Sequence, residues 1–216
     1  MQNSQDETQK VSTQNEIAAT DAAAADVSAD SKSAKVKIKQ FFSAKKIAVM
    51  AVFTALAFVV SLFDFPLFPQ ASFLKLDFGN IFIMLTGFLF GPVEAVIVCV
   101  IKELIHIPVG TTGGVGELAN ILMTVSFVII PATVYRFKRK FWVVIPSLIA
   151  GVILQTCSAL VCNRYITFPL FMGKGAESAF NSFWPIIIYF NLAKGAIISA
   201  ACCLLYKTVS RLIKRL

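Results

Sequence analysis

Four apolar stretches, 47–63, 115–135, 141–163 and 183–206, and a fifth at 79–106 divide this chain, with short Lys/Arg clusters between them. The four approach or exceed the roughly 20 residues, about 17 at the least, that carry an α-helix across a bilayer. No water-soluble fold of 216 residues hides so much apolar surface: 57% of the residues are hydrophobic, twenty are Phe and only 15% are charged. Soluble domains run at about 45–50% apolar and about 25% charged. The expected fold class is therefore all-α, a polytopic protein of the cell membrane that crosses it several times.

The charges set the topology. Basic clusters lie at 35–46, 136–140 and 207–215. Placed on the cytoplasmic side, as the positive-inside rule requires, they demand an even number of crossings between neighbours. Between the first two clusters the segment 79–106 must then contribute two crossings or none, with Gly91-Pro92 as the break. Two short helices give six transmembrane helices with N and C termini cytoplasmic; a re-entrant hairpin has the same parity and stays open. The outer connections are 64–78, 107–114 and 164–182.

Residues 1–34 hold six acids and two bases and no aromatic residue. Such a composition cannot offset the entropy of ordering, so an acidic, polar, disordered tail is expected. It does not read as a secretory signal, which needs a basic start and an early apolar stretch. A basic cytoplasmic segment (35–46), the membrane domain (47–206) and a basic cytoplasmic end (207–216) follow. Although the net charge is +8 with a pI near 9.4, the bases sit between apolar runs, which argues against a nucleic-acid partner. The five cysteines fall inside apolar runs without a CxxC pair and read as small buried residues; no metal site is expected.

Polar residues inside apolar runs are costly, at least about 2.5–3.5 kcal/mol for a mid-bilayer charge, and so are functional candidates. Asn191 and Lys194 are i,i+3 on one face of the last apolar stretch, two to three turns deep, with no acid on that stretch to pair the lysine. Asn163 stands at the outer end of 141–163. Glu117 and Asn120 share a face at the outer start of 115–135. Lys102 and His106 are i,i+4, with Glu103 beside them. All converge on the outer half of the bundle, as a pocket does and a through-membrane relay does not. Local roles stay open for some of them. Lys102 and Glu103 can neutralise each other or Glu117, His106 can be a hydrogen-bonded end residue, and Glu94 complements a helix dipole. Ala51 and Ala55 form a small-xxx-small pair, which serves internal packing as well as docking of another helix.

Catalysis finds little support. HExxH, GxSxG and Walker motifs are absent, and Gly113-Gly114-Val115-Gly116 is followed by no GK[ST]. One histidine and no paired carboxylates on one side argue against acid–base chemistry, so no catalytic residue is expected. Active transport would require a partner ATPase.

Five blocks carry a resemblance: Phe-Leu-Lys-Leu-Asp-Phe-Gly-Asn (73–80), Gly-Phe-Leu-Phe-Gly-Pro-Val-Glu-Ala (87–95), Val-Gly-Glu-Leu-Ala-Asn (115–120), Asn-Arg-Tyr-Ile-Thr-Phe-Pro-Leu (163–170) and Phe-Asn-Leu-Ala-Lys-Gly (190–195), then Ser199. In order and spacing, over about 45–206, the chain resembles the substrate-binding S components of energy-coupling factor (ECF) vitamin transporters, in particular the riboflavin-specific type. The resemblance implies a six-helix, high-affinity vitamin binder without its own ATPase. Such a binder docks through small residues, here Ala51 and Ala55, on a membrane coupling subunit with two cytoplasmic ATPases, and delivers its ligand by toppling in the bilayer. Two departures stand at the pocket mouth: Gly79-Asn80, where the family often has a second acid, and Glu117, at a place usually less charged.

An isoalloxazine ring needs a flat apolar slot and amides for its imide edge. Asn120, Asn163, Asn191 and Lys194 offer amides and one cation, and Leu74, Lys75, Leu76 and Asp77 in loop 64–78 form the expected lid. Riboflavin is expected as transported ligand rather than cofactor, and is favoured over its nucleotides because only Arg164 and Lys174 are near. Other readings are an S component for another vitamin or flavin-related compound, a channel, or a non-transport membrane assembly protein. A channel would need polar residues along the inner half, and an assembly protein has no use for a deep lysine.

Overall fold

The computed structural model describes residues 44–215. The expected tail, most of the basic segment before the first helix, and residue 216 lie outside them. Contacts divide the chain into Met1–Ile47 and Ala48–Leu216; the helical bundle and its cavity belong to the second unit.

The elements run α1 (Ala44–Ser61), a two-residue ribbon of β1 (Phe65–Pro66) and β2 (Lys75–Leu76), α2 (Asn80–Leu89), α3 (Pro92–His106), α4 (Val115–Phe137), α5 (Phe141–Cys162), α6 (Phe168–Met172) and α7 (Ala176–Arg215). The fold is all-α apart from the ribbon, whose antiparallel pairs are Phe65–Leu76 and Pro66–Lys75. Among the described residues three helical stretches are long and apolar enough to cross a membrane: Ala44–Ser61, Val115–Phe137 and the 64 residues Trp142–Leu205. At about 1.5 Å per residue the last is far longer than a ~30 Å hydrocarbon layer. It folds back on itself: Gly195 meets Val152 and Gln155 meets Asn191, so α5 and α7 pack antiparallel.

The reversal between them differs from the loop expected at 164–182. A π-helical turn, Asn163–Thr167, continues α5 directly into α6, and a 3-10 turn at Gly173–Gly175 leads into α7 at Ala176. The residues expected in a loop keep their backbone bonds inside helical turns.

The break at Gly91 has φ +122, a conformation that a side chain disfavours. A Cβ there would lie 3.3 Å from Nη1 of Arg136, at the basic end of α4. Gly79, by contrast, adjoins Asp77 at the other end. The α2–α3 hairpin therefore reaches from one end of α4 to the other and returns. Its α3 buries one stripe, Glu94, Ala95, Val98, Cys99, Lys102 and Glu103, the i, i+4 pattern of a helix with a single inward face. Gly87 lets α2 close on α4, since a Cβ would lie 2.9 Å from Ala132 Cβ.

Two apolar clusters form the interior. One joins Ala57, Met84, Phe88, Val98, Phe127, Tyr135 and Ile198. The other joins Leu74, Leu76, Ala119, Met123, Phe168 and Phe190, and its Leu74, Ala119, Met123 and Phe190 also wall a cavity.

Candidate ligand-binding site

The cavity sits at the ends of α1 and α3, the beginning of α4, the π-helical turn and α6 that follow α5, and the middle of α7, roofed by loop 64–78. Arg136 and the basic segment Lys138–Lys140 stand at the far end of α4, about 20 residues or ~30 Å along the helix. Its volume is about 110 Å³.

A buried polar network forms its floor. Lys102 donates to Asp77 Oδ2 (2.6 Å) and Glu103 Oε1 (2.8 Å). Asn120 donates through Nδ2 to Glu103 Oε1 and more distantly to Asp77 Oδ2 (3.4 Å). The Asn120 Oδ1 in turn accepts from Lys194 Nζ (2.8 Å). The backbone N–H of Gly79 donates to the other Asp77 oxygen (2.7 Å). Lys102 and Glu103 are at most 1% exposed, Lys194 4% and Asp77 6%. Two ammonium groups face two carboxylates, so this network is neutral overall. That is how four ionisable groups remain at such depth: each has a partner, and the asparagine passes the carboxylate field to Lys194.

Several expectations change here. Lys194 is not left alone for lack of an acid on its helix, because Asn120 of α4 takes its proton donor across the bundle. Asp77, in the expected lid loop, also anchors Lys102. Lys102 and Glu103 do pair with each other, and Glu117 does not pair with Lys102; it accepts from Thr112 Oγ1 and stands 3.1 Å from His106 Nδ1.

Leu74, Lys75, Asp77, Asn120, Asn163 and Lys194 line the cavity. Two expected wall residues do not. Leu76 is 1% exposed in the apolar cluster, and Asn191 is spent between helices, accepting from Gln155 Nε2 (3.2 Å) and donating to the Ile187 carbonyl (2.8 Å). A three-residue step leaves Asn191 about 60° around α7 from Lys194, enough to aim one at α5 and the other at α4. Asn163 holds the Ala159 carbonyl with Nδ2 (2.8 Å), which points its amide oxygen away from that bond. Arg164 lies over the rings of Tyr165 (5.7 Å) and Phe180 (5.5 Å) and does not line the cavity.

Sequence reasoning also missed Phe73. Its ring meets Phe168 of α6 and Phe183 of α7 edge-on, each at 5.6 Å, and ties the roof to the far wall. Within the roof itself Lys75 pairs with Asp64 (3.2 Å), both partly exposed. Ala51 and Ala55 are exposed on α1, whereas Thr54, Ala57 and Ser61 are its buried face.

The family model for the substrate-specific component of ECF transporters matches residues 45–206. The riboflavin transporter RibU of Staphylococcus aureus (strain TCH60) is 30% identical over 177 residues, covering 80% of this chain and 94% of that one. The riboflavin transporter FmnP of Bacillus subtilis (strain 168) is 26% identical over 171 residues, 75% and 90% of the two chains. A solved structure of the S component of a bacterial ECF transporter superposes with a TM-score of 0.69 at 31% identity, covering 79% of this chain and 98% of that one.

Proposed function

The chain belongs to the family of substrate-specific components of ECF transporters, and on that premise we propose that it is a riboflavin-binding S component, a multi-pass protein of the cell membrane. It captures the vitamin from outside and passes it inward with an ATP-driven partner. The observation that carries the site assignment is the neutral polar floor under apolar walls. Lys194, Asn120 and Asn163 supply donors and acceptors suited to the imide edge of an uncharged ring, while Leu74, Phe73, Met123 and Phe190 supply flat apolar surface. Leu76 and Asn191 support this wall from behind, Leu76 through the ribbon and Asn191 through α5.

At about 110 Å³ the cavity is smaller than the ~300–1,000 Å³ of sites for drug-sized ligands. Loop 64–78 therefore moves outward to admit a flavin, releasing Phe73 from Phe168 and Phe183, and closes over it. We propose six crossings with both termini cytoplasmic, α2 and α3 being short crossings shielded by their neighbours. The partners are a membrane coupling subunit, met by the exposed Ala51 and Ala55 of α1, and two cytoplasmic ATPases.

The test separates capture from transport. Ala51→Trp with Ala55→Trp abolishes riboflavin uptake in cells that hold the ECF module, while purified protein still quenches riboflavin fluorescence as the wild type does. Equal loss of both overturns the docking assignment, and no quenching by the wild type overturns the ligand.

A further inference from the structure

This inference rests on the riboflavin reading and concerns what the same cavity rejects. Phosphate groups are held in proteins by arginine clusters, or by a glycine-rich turn running into a helix N-terminus, where unpaired N–H groups and the helix dipole favour an anion. The cavity has no arginine among the described residues that line it. It does have the second arrangement. Gly110-Thr111-Thr112-Gly113-Gly114-Val115-Gly116 runs into α4 at the cavity's edge, with Gly113 at φ +59 and Gly114 at φ +91 and open space beside both. Thr111, Thr112 and Gly116 face the cavity.

The turn's N–H groups are already taken, Val115 by the Thr112 carbonyl (3.3 Å) and Gly116 by the Thr112 hydroxyl (3.2 Å), and beside it the chain sets a carboxylate of its own. Glu117, in the first turn of α4 and 5% exposed, directs Oε2 to the Thr112 hydroxyl and Oε1 toward His106 Nδ1 at 3.1 Å. Thr112 Oγ1 also accepts from the Gly116 N–H (3.2 Å), fixing the turn. Charge counting gives the same answer. Of the ionisable groups lining the cavity, Asp64 pairs with Lys75, and Asp77 and Glu103 are matched by Lys102 and Lys194. With His106 counted neutral, Glu117 is the one carboxylate in excess.

We propose that Glu117 is a specificity-determining residue that sets an excess negative charge at the cavity mouth and excludes the phosphomonoester of the flavin, flavin mononucleotide, while admitting riboflavin. A ring bound with its imide at Asn163 and Lys194 carries its ribityl chain toward this mouth. Hydroxyls there hydrogen-bond to Thr112 and Glu117, whereas a dianionic phosphate meets a like charge.

The test is fluorescence titration of the purified protein at mildly alkaline pH with riboflavin and flavin mononucleotide. The wild type prefers riboflavin. Glu117→Gln narrows the ratio of the two dissociation constants by about tenfold or more, mainly through tighter binding of the nucleotide, as removal of one like charge at close range predicts; Glu117→Asp keeps the preference. An unchanged ratio in Glu117→Gln overturns the proposal. A measurement on unaltered protein separates charge from bulk: a neutral phosphate triester of riboflavin binds about tenfold or more tightly than flavin mononucleotide if charge excludes the latter. Equally weak binding of both overturns the charge mechanism. A wild type that binds neither riboflavin nor its phosphate overturns the ligand reading itself, and this inference with it.

Discussion

Lys102→Met is the sharpest perturbation of the buried floor. The methionine keeps most of the side-chain volume, so packing is little changed. The ammonium that bridges Asp77 at 2.6 Å and Glu103 at 2.8 Å is lost. Two carboxylates then share one buried region with a single remaining cation, Lys194, which reaches them only through Asn120. Removing one partner of a buried ion pair costs about 3–5 kcal/mol because the other charge is left uncompensated. At roughly 2–4 °C per kcal/mol for a chain of this size, the melting temperature falls by about 6–20 °C. The assay is thermal unfolding of detergent-purified protein, followed by tryptophan emission. Adding Glu103→Gln to Lys102→Met restores neutrality and recovers at least half of the loss, a non-additivity expected for residues in one network. A single variant within about 2 °C of wild type, well below what a lost buried pair costs, would refute the reasoning. Strict additivity in the double variant would refute the charge-balance part of it alone.

Other expected outcomes rest on the same geometry. Gly79→Ala places a methyl against the Ala57 carbonyl oxygen, forces α1 away from the start of α2, and destabilises by about 1–3 kcal/mol in thermal unfolding. Gly195→Leu drives a side chain into Val152, 2.7 Å from the position of a Cβ, and separates α5 from α7; it lowers stability and weakens riboflavin binding by disturbing the neighbouring Lys194. Lys75→Ala removes only a half-exposed pair with Asp64. It leaves the melting temperature nearly unchanged and speeds ligand dissociation by up to about fivefold in stopped-flow fluorescence, the size of a surface ion pair.

How far the sequence reads this molecule depends on the range of each interaction. The apolar helices are local, and Val115–Phe137 and Phe141–Cys162 begin and end within two residues of the expected 115–135 and 141–163. Charge placement adds the ends, because basic residues gather at one side regardless of packing. The segment 164–182, long, aromatic and Pro-containing, reads as a connecting loop between apolar runs, whereas its backbone closes in π, α and 3-10 turns whose local bonds leave no hydrophobic period to read. The polar floor is harder still: Asp77 and Lys102 are 25 residues apart, and Asn120 and Lys194 are 74 apart. Each residue stands out as a polar group in an apolar run, yet which pairs with which depends on how helices rotate against one another. Asn191 illustrates the limit: it shares a sequence face with Lys194 but turns toward Gln155 on α5.

The central claim is that a riboflavin molecule binds on the floor formed by Asn120, Asn163 and Lys194. The most direct test is titration of riboflavin fluorescence with purified wild-type protein and with Lys194→Met. The account predicts saturable quenching by the wild type, and a loss of about tenfold to hundredfold in affinity in the variant, the range for removing a hydrogen bond from a charged group. Undiminished affinity in a folded Lys194→Met protein, or no quenching by the wild type, contradicts it.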